Sequence, residues 1–254
     1  MLTATFSGTT FTFGGEAAFN GTTTNVGVAF DPKGTQFVVT YLDGDNSSAG
    51  TARVGSVSSA NTTITLDSTE YVYNTGTTNQ NKIAFDNISN EGKFVVTYQD
   101  GSSSYAGKGI LGQAPSTSTN VSSFVGITSA AITSGASGDI ALKGGIAASV
   151  DSPLLQLYGS EAAANSSNSY YVNTSYDPNN ANKFVVVWMD AGNSSHGKAV
   201  VGTVSGTSIS YGTVVTWNAA GTGYISFAFD PNTANKFVIA FQDDGNSGQG
   251  TAIV

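Results

Sequence analysis

Residues Ser175–Gly206 read SYDPNNANKFVVVWMDAGNSSHGKAVVGTVSG, and the pattern recurs three more times in the 254-residue chain. The counterparts are AFDPKGTQFVVTYLDGDNSSAGTARVGSVSS from Ala29, AFDNISNEGKFVVTYQDGSSSYAGKGILGQ from Ala84, and AFDPNTANKFVIAFQDDGNSGQGTAIV from Ala228. Self-similarity at such a period marks a modular array. Repetition argues against one catalytic centre and for a surface made of similar loops.

Each unit holds four strand candidates. The first is short and alternating, as in Ile225-Ser-Phe-Ala-Phe229, and ends at Asp230-Pro231, a turn dipeptide. The second is a continuous apolar run: Phe37–Tyr41, Phe94–Tyr98, Phe184–Trp188 and Phe237–Phe241. Neighbouring side chains on a strand point to opposite faces, so both faces of such a run must be buried. The third runs through Ala199–Val204, and the fourth is Ser208–Tyr211 continuing to Val214–Trp217. Ser205-Gly206-Thr207 joins the last two as a tight hairpin turn.

Four antiparallel strands with a doubly buried inner strand predict an all-β, propeller-like array of four four-stranded blades with a small β insertion. Gly50, Gly107, Gly197 and Gly250 lie 57, 90 and 53 residues apart. Two spacings suit one unit each, and the middle one carries extra chain. Thr5-Phe-Ser-Gly8 aligns with Thr203-Val-Ser-Gly206, and Phe11-Thr-Phe13 with Ile209-Ser-Tyr211. The N- and C-terminal strands are therefore expected to close the last blade, which would remove unpaired edges. A fragment of a longer array would end in the same register at Val254.

The expected organisation is repeats over 1–115, an insertion over 116–169 (a compact β module or a degenerate fifth blade), and repeats three and four over 170–254. Within the insertion, Asp139–Lys143 alternates like a strand, Ala131-Ile132 could form a short helical turn, and Ala162–Ser169 is polar and reads as a loop.

Composition narrows function. There are 9 Lys+Arg against 17 Asp+Glu, a formal charge of −8, and Arg53 is the one arginine. Such a chain lacks the basic footprint that phosphate backbones need, so nucleic acid is not an expected partner. Absence of cysteine removes disulfides and thiolate metal sites. No basic segment followed by an apolar run opens the sequence, so no signal peptide is expected, and no stretch is apolar enough for membrane insertion.

The unit FDPNxANKFVVxxxDxGNSSxGxAxVGTVSGTSISYG resembles repeats in tail-fibre and other appendage proteins of bacteriophages, especially marine phages. The inserted FVGITSAAITSGASGDIALKGG and the downstream Tyr170-Tyr-Val172 resemble a small β module of the same class. Unit two departs from the pattern at Ser102-Ser-Ser104, and Asp151–Gly159 replaces the usual sequence ahead of Tyr170. The resemblance implies a virion protein, extracellular after assembly in the host cytoplasm. Its implied partners are a host cell-surface glycan or receptor, other virion proteins and further copies of itself.

The loops between second and third strands are the candidate ligand surface. They contribute Asp43, Asp45 and Asn46; Asp100 and Tyr105; Asp190, Asn193 and His196; Asp243 and Asn246. Asp and Asn cap turn amides, which is the structural reading of this pattern. The functional reading is a row of polar pockets for glycans, with Tyr105 and His196 at equivalent places as aromatic faces. Asp43 with Asp45, or Asp243 with Asp244, would supply hard oxygens for calcium, although no EF-hand pattern is present and no cofactor or metal site is assigned. The Asp31, Asp86, Asp177 and Asp230 series reads as turn caps. No enzyme is expected: His196 is the single histidine, there is no nucleophile elbow or phosphate loop, and nothing pairs Glu16, Glu70, Glu91 and Glu161 as a glycosidase would require. Two functions follow: host attachment through these loops, or a structural virion module (spacer, adaptor or decoration) without ligand.

Overall fold

The computed structural model of the protein describes residues 1–7, 9–32, 36–58, 63–88, 92–115 and 156–254. It is all-β apart from short 3-10 turns. Strands β1 (Leu2–Ser7) and β2 (Thr10–Glu16) form a hairpin. Unit one contains β3 (Thr23–Phe30), β4 (Gln36–Asp43), β5 (Ala49–Val57) and β6 (Ile64–Leu66). Unit two contains β7 (Tyr71–Phe85), β8 (Lys93–Asp100) and β9 (Ala106–Gln113). Unit three contains β10 (Gln156–Tyr176), β11 (Lys183–Asp190), β12 (His196–Ser205), β13 (Ser208–Tyr211) and β14 (Val215–Asn218). Unit four contains β15 (Thr222–Phe229), β16 (Phe237–Asp243) and β17 (Gln249–Ile253).

Most strands read from the repeat are present, but unit four holds three rather than four, and the expected fourth strand of unit three is two, β13 and β14. The apolar runs lie inside β4, β8, β11 and β16, and Ser205 pairs with Ser208 across Gly206, whose φ is +57°. Gly202 has a second reason to be glycine. Its cross-strand partner is Phe184, and a Cβ there would run into the Phe184 ring.

The propeller-like array of four separate, ring-closing blades is overturned. Strands β3 to β14 join in one antiparallel sheet of 12 strands, with β1–β2 and β15–β16–β17 as two smaller sheets, and none of the three is closed. Two strands are the physical cause. β7 pairs with β5 of the unit before it through Tyr71–Thr77, then with β8 of its own unit through Thr78–Phe85. β10 likewise pairs with β9 and then β11. What the repeat divides into a last strand of one unit and a first strand of the next is one long strand. β1 and β2 pair with each other and, among the described residues, with no strand of unit four.

Ala162–Ser169, expected as a loop, belongs to β10, where Ala162 faces Gly109 and Asn168 faces Ala106. The rest of the expected insertion, with Asp139–Lys143 and Ala131-Ile132, lies outside the described residues.

The large sheet folds back on itself. β3 and β7 are three strand spacings apart along it, about 14 Å, yet Asn25 Nδ2 donates to Asn79 Oδ1 at 3.4 Å. Every first strand carries a bulge with one left-handed residue: Asn25, Gln80, Tyr171 and Tyr224, with φ between +49° and +54°. Bulges bend a strand and raise its twist. Here they meet in series: Asn25 on Asn79, Gln80 Oε1 accepting from Val172 N at 3.1 Å, and Tyr171 against Tyr224 at 5.3 Å between ring centres.

Three apolar clusters fill the gaps between successive units. The first joins Val38, Ala52 and Val54 to Phe85, Phe94, Val96 and Ile110. The second joins Val95 and Leu111 to Val172, Phe184, Val186, Trp188 and Val200. The third joins Val185, Val187 and Ala199 to Ile225, Ile239 and Phe241. The doubly apolar runs of β8 and β11 are thus explained, since each faces the preceding unit with one side and the following unit with the other, whereas β16 buries one side and leaves Val238 and Ala240 exposed.

Candidate functional site

The candidate loops are the turns β4–β5, β8–β9, β11–β12 and β16–β17, and all four share one geometry. Each starts at an Asp closing the strand: Asp43, Asp100, Asp190 and Asp243. Its Oδ1 accepts the amide two residues on, from Asp45, Ser102, Gly192 and Gly245 at 2.9–3.1 Å. Each turn ends with two residues at positive φ: Ser47-Ser48, Ser104-Tyr105, Ser194-Ser195 and Ser247-Gly248.

The same carboxylates reach back to an earlier strand or its approach. Asn20 Nδ2 donates to Asp43 Oδ1 at 2.8 Å, Asn74 Nδ2 to Asp100 Oδ1 at 3.3 Å, and Asn218 Nδ2 to Asp243 Oδ1 at 3.3 Å. In unit three Ser167 Oγ donates to Asp190 Oδ1 at 2.6 Å, and Asn165 holds Ser167 at 3.0 Å. These partners escaped the sequence reading. A signal was present: Asn74, Asn165 and Asn218 each stand four residues before Thr78, Ser169 and Thr222, whose hydroxyls they bond at 2.8–3.0 Å.

The turn also fastens each unit to the next. Thr78 N donates to Ser48 O, Ser169 N to Tyr105 O, and Thr222 N to Ser195 O, at 3.0–3.1 Å. The left-handed residues therefore aim a carbonyl at the following unit.

The predicted site residues divide in two. Asp43, Asp100 and Asp190 are buried and Asp243 half-buried, all held within the turns. Asp45, Asn46, Tyr105, Asn193 and Asn246 are exposed, though Asp45 Oδ2 accepts Thr22 N at 2.9 Å. His196 and Tyr105 are not equivalent. Tyr105 is the last left-handed residue of its turn, whereas His196 is the first residue of β12, half-buried opposite Asp190. The glycan-facing aromatic pair does not form, because the turns have one length and the two residues differ by one position. Asp86, Asp177 and Asp230 cap their turns as read, each accepting the amide two residues on at 2.8–2.9 Å.

Oδ1 of Asp43 and of Asp243 is engaged in turn bonds, and among the described residues no three His, Cys, Asp or Glu side chains gather as metal ligands.

Unit two adds an ion cluster. Lys108 Nζ lies 2.6 Å from both Asp100 Oδ2 and Glu161 Oε2, and the Tyr98 hydroxyl donates to Glu161 Oε1. Burial pushes the Asp100 carboxyl up, but hydrogen bonds from Lys108, Ser102 N and Asn74 outweigh it and hold it below the ordinary range. Burial pushes the Lys108 ammonium down, and Asp100 and Glu161 more than restore it, so it stays protonated above the usual lysine range. One ammonium is shared by two carboxylates, and three strands (β8, β9 and β10) are pinned together.

Tyr105 is 45% exposed and has φ of +57°, where unit four has Gly248. A side chain at that φ costs about 1–2 kcal/mol, partly offset by the extra unfolded-state freedom of glycine. Tyr105→Gly is expected to raise stability by about 0.5–1 kcal/mol, read as a higher urea midpoint with unchanged slope.

The fold and these turns define an all-β protein of four stacked, turn-stapled repeat units. The chain matches no protein-family model and no curated protein. Among solved structures it is similar to Sqt1 of Chaetomium thermophilum, at 12% identity and a TM-score of 0.46, over 85% of this chain. The chain spans 40% of that protein's length, and a likeness of this size carries no functional argument.

Proposed function

We propose that the protein is a structural repeat module of a bacteriophage virion appendage, a spacer or adaptor whose turns are staples. The virion assignment rests on the repeat resemblance. The structural role rests on one observation: Oδ1 of the Asp that opens each turn accepts both a turn amide and an Asn or Ser side chain. At Oδ1 a sugar hydroxyl would compete with the bonds that hold the turn. No catalytic role is proposed.

Host attachment is the second reading, favoured by the outward row of Asp45, Asn46, Tyr105, Asn193 and Asn246 on equivalent turns. Several weak sites presented together gain by avidity. Two single variants separate the readings. Asp190→Ala removes the acceptor for Gly192 N and Ser167 Oγ and is expected to cost about 1–2 kcal/mol. Asn193→Ala is exposed and is expected to leave the melting temperature unchanged. On the structural reading, purified protein shows no saturable binding to host cells or a glycan array. Saturable binding that Asn193→Ala abolishes, with melting unchanged, would establish attachment instead.

A further inference from the structure

The three interfaces between units use one set of positions, and each end of the array leaves part of that set exposed. On the side facing the preceding unit, the alternating first-strand positions after the bulge are Asn81, Ile83 and Phe85 in unit two, Val172, Thr174 and Tyr176 in unit three, and Ile225, Phe227 and Phe229 in unit four. All are buried or half-buried. In unit one the same positions are Val26, Val28 and Phe30, which are 47%, 56% and 56% exposed. On the side facing the following unit, Val38, Val95 and Val185 are at most 5% exposed, while their unit-four counterpart Val238 is 43% exposed. Ala52 and Ala199 are buried, while Ala252 is exposed. Backbone register agrees. Thr23 occupies in unit one the place of the donors Thr78, Ser169 and Thr222, and Gly248 occupies in unit four the place of the acceptors Ser48, Tyr105 and Ser195.

We infer that a second copy of this chain docks head to tail, the β3 edge of one on the β15–β16 face of the other, continuing the stack of units across molecules. The occupant follows from continuity. Each free face is the counterpart of a face already buried three times within the chain, and each matches the other end rather than itself. On the β3 side the partner meets a stripe rather than a whole sheet, because Val39 and Tyr41 of β4 are already covered and the Phe19 ring lies 5.1 Å from Tyr41. A contact between unlike faces is heterologous, so it extends into chains or closes into a ring of copies.

The test is sedimentation velocity of the full chain over a range of concentrations, with Val28→Asp and Val238→Asp. Both sites are exposed, so melting temperatures should match wild type. Wild-type mass is expected to rise with concentration, while each variant alone stays monomeric. Mixing the two variants should give a dimer and nothing larger, since one intact head meets one intact tail. The chain has no cysteine, so Val28→Cys and Val238→Cys in separate molecules should trap the same dimer as a disulfide, independently of the aspartate variants. Wild-type protein that stays monomeric at every concentration, as it would if its own residues 116–155 covered these faces, overturns the proposal. So does a mixture that neither dimerises nor cross-links, or variants that assemble like wild type.

Discussion

Trp188→Ala is expected to cost about 3–5 kcal/mol, against a total stability on the order of 5–15 kcal/mol for a folded domain. Trp188 is 1% exposed and sits in the cluster that welds unit two to unit three, with Val95, Leu111, Val172 and Phe184 around it. Truncation loses the burial of the indole and leaves a cavity that strands locked by hydrogen bonds cannot collapse to fill. Trp188→Phe should cost far less. Among the described residues the indole N–H has no acceptor, so phenylalanine removes an unsatisfied donor along with some area, and Phe241 fills the equivalent place in unit four. Urea unfolding of the three proteins checks both statements. Equal losses for the alanine and phenylalanine variants would mean that the N–H, not the volume, matters.

Lys108→Met is expected to be the second large effect, about 2–3 kcal/mol, because it leaves Asp100 and Glu161 facing each other without their cation. Breaking a buried pair costs about 3–5 kcal/mol, reduced here because Lys108 and Glu161 keep 18% and 28% of their side-chain surface exposed. The pH dependence identifies the cause. The Asp100 carboxyl lies below its ordinary value in the folded state. Its contribution is therefore present above the unfolded carboxylate pKa, about 3.9, and is lost as pH falls through the lower folded value. Lys108 lies above its ordinary value, so its contribution is present below the unfolded lysine pKa, about 10.4, and is lost as pH rises through the higher folded value. The difference between wild type and Lys108→Met should be greatest between these limits and shrink at acid pH. A difference independent of pH would assign the effect to lost packing of the lysine stem.

The turns show how far local sequence reaches. Asp-x-Gly-Asn-Ser-Ser announces a capped turn because its essential bonds, Oδ1 to the amide two residues on, close within the motif. Its other partner lies 23 to 26 residues away, as with Asn20 for Asp43 and Asn74 for Asp100, and is selected by strand pairing. That is why the aspartates read as free surface carboxylates in the sequence, while in the fold Oδ1 of each is engaged.

By itself the sequence determined that the chain is all-β, that four units repeat, and which runs are the inner strands. Those features depend on side-chain alternation and turn chemistry, which are local. The tertiary structure alone decided where one unit ends and the next begins. Tyr71–Phe85 and Gln156–Tyr176 each change pairing partner in mid-strand. A backbone of uniform β character carries no mark of that change, because its hydrogen bonds fit either neighbour equally well. Whether the ends of the array meet was likewise decided in three dimensions. β1 and β2 satisfy each other as a hairpin, which leaves the faces at Val28 and Val238 open.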